Sequence, residues 1–504
     1  MGAQTETLLA PLRRALRVAP DACAVVCGEE RMTHAALAAR TRRLGAALRG
    51  LGLAPGDRVA VVGPNCHRYL ELYLGVPAAG LVLVPLNTRH TDPELRYALE
   101  DSGARVLIAD REIDGAGELV EHAIPFDDAY DRFVEQAADE PWAEGLDGDT
   151  LAGLFYTGGT TGAAKGVMLT HGNLVANAYH FMACWPFTAD TRWLVIAPMF
   201  HAAGTIGTLA TTWAGGAHVV MGAFDPGRFL DLVERERVSA TLVVPTMMAA
   251  IAEEQLARPR DVGSLRYLSH GSSPVATEIL RRTREAFPNA ELLHVYGATE
   301  TSPIVTLLPN EERVLDGPRA RSCGQPAIGV ELAIRTPAGE PVADGEIGEV
   351  HVRGRNVTSG YWRKPEQTAA ALRDGWYATG DLGYLDEAGY LYLVDRAKDM
   401  IVTGGENVYS VEVEEALYRH PAVREAAVFG IPDERWGEAV HAVVVTAQPV
   451  TAAELVDHAK TLVAGYKVPK AIELRTEPLP KSGAGKILKR ELRETYWQGR
   501  DRRV

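Results

Sequence analysis

Basic charge is in short supply. The chain carries 52 Lys and Arg against 66 Asp and Glu, a net charge of -14. That balance argues against nucleic acid as the main partner, because phosphate backbones are bound by clustered cations. It leaves room for a local basic pocket around a nucleotide. Cysteine is also scarce. Cys23, Cys27, Cys66, Cys184 and Cys323 are scattered, none forms a CxxC pair, and the lone CxxxC has no nearby histidine partner. Small buried thiols in a reducing compartment fit this better than a disulfide framework or a zinc site. Long apolar runs are missing too. The longest, "LYLGVPAAGLVLVPL", is short for a membrane span and is broken by Pro and Gly. The N-terminus lacks a signal-peptide layout, and Glu6 stands where a myristoylation motif wants Ser or Thr. Neither a repeat nor a low-complexity segment is present. The expectation is a cytoplasmic protein without an integral membrane segment.

What is there points to several domains. A chain of 504 residues is too long for one core, and its 46% hydrophobic and 23% charged residues are ordinary for a globular protein. "DRVAVVG", "LVLVPLN" and "ARVLIAD" read as strands, with helices "HRYLELYLGVPAAG" and "DPELRYALEDSG" between them. The alternation recurs in "HVVMGAF", "DPGRFLDLVERERV" and "SATLVVPT", and it predicts α/β units with parallel strands. "LRYLSHGSS" and "AELLHVYGATE" end strands in small polar residues, and the carboxyl ends of such strands are where ligands collect. From about residue 324, short strands separated by Gly, Pro and Asp predict a β-rich subdomain. After residue 396, a helix over 410–423, a strand over 423–433 and a helix over 451–469 predict a small α+β domain. The expected fold is thus α/β: an N-terminal domain over 1–395 and a C-terminal domain over 396–504.

Five motifs carry chemistry. In "YTGGTTGAAKG", residues 156–166, Gly158, Gly159 and Gly162 let backbone N–H groups approach an anion. Thr157, Thr160 and Thr161 add donors, and Lys165 adds a charge. It is not a P-loop, since Gly166 follows the lysine. A surface turn is the plainer reading; the density of Gly, Thr and Lys after an apolar strand favours phosphate. "YGATE", 296–300, offers a stacking ring, a hydroxyl and a carboxylate suited to Mg²⁺, although a solvated Glu300 is the usual finding. "YATGDLG" places Asp381 where it can hold ribose hydroxyls, or simply cap a turn. "DRAKDMIVTGGENV" is a linker or a hairpin. "PKSGAGKILKREL" sets Lys486 on a loop where a solvated lysine is the ordinary case.

In this order, the motifs resemble those of the adenylate-forming superfamily: acyl-CoA synthetases, firefly luciferase and peptide-synthetase adenylation domains. The likeness runs from "MTHAALAARTRRLGAAL" to "GKILKREL" and is strongest to bacterial fatty-acyl-CoA and aryl-CoA ligases. It implies a large N-terminal domain of αβ subdomains with a β-rich subdomain, then a small mobile C-terminal domain. It implies that ATP activates a carboxylate as an acyl-adenylate, with Mg²⁺, and that coenzyme A then takes the acyl group as AMP leaves. On this resemblance Thr157, Gly158, Gly159, Thr160, Thr161, Gly162 and Lys165 cradle the outer phosphates. Tyr296, Gly297 and Ala298 face adenine, with Gly271, Ser272 and Ser273 on its other side. Thr299 touches the α-phosphate and Glu300 holds Mg²⁺. Asp381 binds ribose with help from Arg396. Lys486 bridges carboxylate and α-phosphate, Lys398 is the hinge, Gly404, Gly405 and Glu406 line the pantetheine tunnel, and His201 stands beside the substrate carboxylate.

Two departures stand out. The family's loop has Pro or Ser where this chain has Ala164, which supplies neither stiffness nor a donor. His270 replaces the usual Gly or Ser, and it either reshapes the substrate end or packs elsewhere. The acyl pocket is expected from "FHAAGTIG", "VPTMMAAI" and "HGSSPV", whose residues suit a hydrophobic fatty, aryl or terpenoid acid. Three alternatives stay open: a ligase impaired in adenylation that mainly converts supplied adenylate, a stand-alone enzyme loading a carrier-protein thiol, and a non-catalytic binding protein that has kept the fold. The expected assembly is a monomer or homodimer.

Overall fold

The computed structural model describes residues 6–157, 164–273, 275, 277–481 and 487–498. It divides into two compact units, one of residues 1–332 and 352–377, the other of 333–351 and 378–504. The chain passes between them within strands Val330–Arg335, Gly348–Gly354 and Trp376–Leu385. Among the described residues no helix is long and apolar enough to cross a membrane.

The larger unit is α/β, with two sheets. In one, strands His122–Pro125, Val106–Ala109, Arg58–Val62, Val82–Leu86 and Leu151–Thr157 run parallel, and Lys165–Thr170 closes the edge antiparallel. The expected strands are there because runs such as "RVAVV" are buried along their length, as strands covered on both faces must be. The helix Asp92–Ser102 between them starts in a Thr91/Glu94 capping box and stops at Gly103, whose φ of 62° is left-handed. The second sheet has nine strands. Glu291–Tyr296, Tyr267–Gly271, Ala240–Val243, Arg192–Val195, Ala217–Val220 and Cys23–Cys27 are parallel. Thr306–Pro309, Gln325–Pro326 and Glu30–Thr33 turn the edges antiparallel. Leu194, Val219, Leu268 and Leu292 pack with Phe229, Val233 and Met248 from the covering helices and with Phe287, just past the end of helix Thr277–Ala286.

The smaller unit is α+β. Strands Val423–Asp433 and Gly437–Thr446 pair antiparallel in one long ladder, and Ala471–Arg475 joins parallel to the second. Alternation decides both faces. Ala426 and Val428 pack with Val413, Leu417 and Leu455 of helices Ser410–Tyr418 and Ala452–Lys460. Ala427 and Phe429 pack with Leu479 and Leu492, the latter on helix Lys489–Trp497. The helix expected over 451–469 ends at Lys460, where Thr461 turns back to cap it and Val463–Gly465 leads away.

Candidate active site

The stretch expected to hold phosphate sits on a hairpin. Strand Leu151–Thr157 returns as Lys165–Thr170, and Thr157 and Lys165 are register partners at the open end. Gly158, Gly159, Thr160, Thr161 and Gly162 lie outside the described residues. The lysine ammonium sits 4.9 Å from the ring centroid of Tyr361. The Tyr361 hydroxyl donates to Glu300 Oε1 at 3.0 Å. Glu300 is therefore not a merely solvated carboxylate. Burial and Glu300 together push the phenol's pKa up, so it remains a donor. The whole segment is stitched on: Trp362 N–H donates to Gly166 O, Met168 N–H to Gly360 O, and Thr358 N–H to Glu300 O at 2.8 Å. One tyrosine thus bridges the anion-loop cation and the candidate metal carboxylate.

Two strand ends stand side by side. Gly271 and Val295 are register partners, so Ser272 and Ser273 leave the sheet next to Tyr296 and Gly297. Both glycines are forced by close backbone. A Cβ on Gly271 would lie 2.2 Å from Val295 O, and one on Gly297 would lie 1.7 Å from Pro303 O. Ser272 holds a left-handed φ of 70°, an uncommon conformation for a residue with a side chain. Ala298 and Thr299 follow in a short 3₁₀ turn over Thr299–Thr301. Asn356 pins it, donating to Thr301 O and Ile304 O at 3.0 and 2.7 Å. His201 opens another 3₁₀ turn, Ala202–Thr205, with its ring 4.6 Å from that of Phe200. Burial, then the nearby His90 and Arg89, push its pKa down to about 4, so it is neutral at ordinary pH. Ala203, Gly204 and Ile206 pack beside Trp193, Ile196 and Leu242 around a void too small for a water molecule.

His270 proves to be buried, with no measurable exposure. Its Nε2 pairs with Glu311, and its ring stacks on His294.

In the smaller unit, Asp381 and Arg396 are register partners, with Arg396 Nε 3.3 Å from Asp381 Oδ1. Gly404 and Gly405, at φ 61° and 86°, form the two-residue turn between strands Ile401–Thr403 and Glu406–Val408. That is the geometry right-twisted strands prefer, and it makes this stretch a hairpin rather than a linker. A Cβ on Gly404 would press the Trp436 ring at 2.8 Å. Glu406 is exposed. Lys486 lies outside the described residues. Three residues on, Lys489 is half-buried and tied at 2.7 Å to both Glu414 and the Ser410 hydroxyl. Ser410 in turn donates to Asp395, beside Arg396. Arg493 donates to the carbonyl of Lys398 at 3.3 Å. The expected hinge segment is thus fastened to the helix that follows Lys486.

Sequence reasoning missed Tyr361, Asn356, Thr358 and Lys489. The "TSGYW" run carries Gly and aromatics, but its value lies in contacts across about 60 to 200 residues of chain, which local spacing does not encode. Among the described residues no three His, Cys, Asp or Glu side chains cluster to hold a metal ion. A lone, braced carboxylate such as Glu300 fits Mg²⁺, which takes its other ligands from phosphates and water.

Comparison with known proteins agrees with this geometry. The model of the AMP-binding enzyme family matches residues 12–362, and that of the AMP-binding enzyme C-terminal domain matches 412–486. A feruloyl-CoA synthase from Amycolatopsis is 43% identical over 495 residues, covering 96% of this chain and 98% of its own. The o-succinylbenzoate CoA synthetase of Bacillus subtilis, solved with its acyl-adenylate intermediate, superposes with a TM-score of 0.87 at 31% identity, covering 96% of this chain and 97% of the other. The same enzyme solved with ATP and magnesium ion gives 0.87 at 32%, covering 96% and 98%. The strand-end glycines, the hairpin lysine, the braced carboxylate and these matches lead to one conclusion: the chain belongs to the AMP-binding enzyme family of the adenylate-forming superfamily.

Proposed function

We propose that the protein is an AMP-forming acyl-CoA ligase whose acid is an aryl acid of the feruloyl type. The Lys165–Tyr361–Glu300 bridge carries the reading, because it joins the means of holding phosphate to the means of holding its cation. An acid oxygen attacks the α-phosphorus of ATP and pyrophosphate leaves. The thiol of coenzyme A then attacks the acyl carbon and AMP leaves. Mg²⁺, when bound at Glu300, neutralises phosphate charge. Thr157, Lys165 and the intervening Gly158, Gly159, Thr160, Thr161 and Gly162 hold the outer phosphates. Thr299 orients the α-phosphate. Tyr296 to Ala298 and Gly271 to Ser273 enclose adenine, and Asp381 with Arg396 holds ribose. His201, neutral and half-enclosed, borders the acid. Gly404, Gly405 and Glu406 face the pantetheine. Residues 396–504 act as the mobile domain, with Lys398 the hinge.

The apolar side chains of Trp193, Ile196, Ile206 and Leu242, packed beside Ala203 and Gly204, suit a hydrophobic acid. The relative at 43% identity forms a CoA thioester, which favours coenzyme A over a carrier-protein thiol. A cytoplasmic monomer or homodimer fits the five free cysteines and the lack of a spanning helix among the described residues.

The test separates the two half-reactions. Pyrophosphate release is measured with ATP, Mg²⁺ and a panel of aryl, fatty and terpenoid acids, and thioester formation with synthetic acyl-adenylate plus coenzyme A. Removing a group aimed at developing charge costs about 10²–10³ in rate. Lys486→Ala is expected to lose pyrophosphate release by that factor and to keep thioester formation. Equal losses would defeat the assigned role. Ala164→Ser is expected to speed the first step if the alanine limits it; an unchanged rate means the loop is competent as it stands.

A further inference from the structure

The ribose pair in the smaller unit is braced from behind by polar groups that the assigned reaction does not use. Strand Leu391–Arg396 alternates, so Asp395 and Arg396 point to opposite faces. Arg396 lies against Asp381, its Nε 3.3 Å from Oδ1. Asp395 turns the other way, 5% exposed, and meets the start of helix Ser410–Tyr418. Three donors converge on its carboxylate. The Arg396 N–H reaches Oδ1 at 2.8 Å, the Ser410 hydroxyl reaches Oδ1 at 3.0 Å, and the Ser410 N–H reaches Oδ2. Ser410 is fully buried. Its oxygen also accepts from Lys489 Nζ at 2.7 Å. An ammonium can only donate, so the hydroxyl must aim its own proton at Asp395. Lys489 is held in turn by Glu414 Oε1 at 2.7 Å, and the same oxygen accepts the Val428 N–H at 2.7 Å. Glu414, Lys489, Ser410, Asp395 and Arg396 thus form a line in which every donor and acceptor role is fixed. Asp395 comes before Lys398 in the chain, and Ser410 and Lys489 come after it, so the line spans the assigned hinge.

We propose that Ser410 is a positioning residue for the nucleotide: backed by Lys489, it holds Asp395, and through the Arg396 N–H it fixes the guanidinium and Asp381 that read the ribose hydroxyls. The inference rests on the assignment of Asp381 and Arg396 to ribose, and it adds what sets their geometry. Without the hydroxyl, Asp395 and Lys489 are each one partner short, and the carboxylate turns toward the ammonium. The Arg396 N–H moves with it. The groups assigned to adenine and phosphate stand on other strands and are untouched.

The experiment measures, by calorimetry on the full chain, the affinity for AMP and for 2′,3′-dideoxy-AMP, which lacks only the ribose hydroxyls. Wild type is expected to favour AMP by about 10- to 100-fold. Ser410→Ala is expected to cut that ratio about 3- to 10-fold while the dideoxy affinity holds, which also shows that the variant folds. Thr451→Ala is the control. It removes the hydroxyl that caps helix Ala452–Lys460 in the same unit, where Thr451 accepts the Glu454 N–H at 3.2 Å within its own turn. Its ratio is expected to match wild type. A fall there as large as in Ser410→Ala would make the effect one of general stability and overturn the proposal. An unchanged ratio in Ser410→Ala, or equal loss of both nucleotides, overturns it too and leaves the ribose assignment standing. A wild-type ratio near one is a different failure: Asp381 and Arg396 then do not hold ribose, and the inference falls with that assignment.

Discussion

The two units bury their polar groups in different ways. In the larger unit, His171, His180, His201, His218 and His294 are each driven to a pKa of about 4, with burial the largest cause. They stay neutral, and some use the ring as a plain hydrogen-bonding group: His171 Nδ1 accepts from the Leu8 N–H at 3.1 Å. In the smaller unit, Lys489 is half-buried with its charge. Burial lowers its pKa, but Glu414, Asp395 and Asp399 outweigh that and raise it. The difference follows from chemistry. An imidazole can shed its proton at modest cost near neutrality, whereas an ammonium without partners is expensive to desolvate and a paired one is costly to disturb. One unit is thereby sensitive to protons and the other to loss of a partner.

The largest expected effect is that of pH on the larger unit. The five histidines titrate near 6.5 when unfolded and near 4 when folded, so the unfolded chain takes up more protons between those values. Stability is then lost as pH falls through that window, by about 2 kcal/mol per histidine near pH 5. The smaller unit should follow less, since its buried His441, lowered by burial, is set against two acids that act the other way. Its buried Asp395 and Glu414 have raised pKa values, which shift stability the opposite way as pH falls. Hydrogen exchange at pH 7.5 and pH 5, resolved by peptide, checks the contrast. Equal loss of protection in both units would erase it.

Next comes Lys489→Met. It strands two carboxylates in the interior, and breaking a buried pair costs about 3–5 kcal/mol. Urea unfolding at neutral pH should show the loss in the smaller unit alone. A variant as stable as wild type would mean the carboxylates are neutral and the charge network is not what fastens the hinge segment. Smallest is Tyr361→Phe, which removes a neutral donor serving a carboxylate. One hydrogen bond to a charged group is worth about 1.5–3 kcal/mol. Pyrophosphate release at limiting Mg²⁺ should fall about 10- to 100-fold, with less effect at saturating Mg²⁺. Loss of thioester formation from supplied adenylate to the same degree would assign Tyr361 a general packing role instead.

Some of the site was legible at once. The strand tips at Gly271 and Tyr296 and the turn at Gly404 and Gly405 were visible because glycine and hydroxyl residues mark strand ends and tight turns locally. Of the helix expected over 410–423, Ser410–Tyr418 is helical, legible through its apolar spacing, and the rest is not. The expected extension to 469 was not, because apolar residues at 462–463 continue the pattern after the backbone has turned. His270 could be flagged as unusual, but not placed: whether it met core, solvent or ligand depended on Glu311, 41 residues away. Glu300 looked like an ordinary exposed carboxylate until Tyr361 was found against it.

By itself, then, the sequence determined the alternation of strands and helices, the loop able to hold phosphate and the family pattern of its motifs. These are written in periodicity and in residue types that act through their own backbone. Only the tertiary structure decided that Tyr361 joins Lys165 to Glu300, that Glu311 pairs with His270, and that Lys489 ties the helix after Lys486 to Asp395 and Ser410. Each of those is a contact between side chains far apart along the chain. Its strength comes from burial and direction, which exist only once the sheets have brought the partners together.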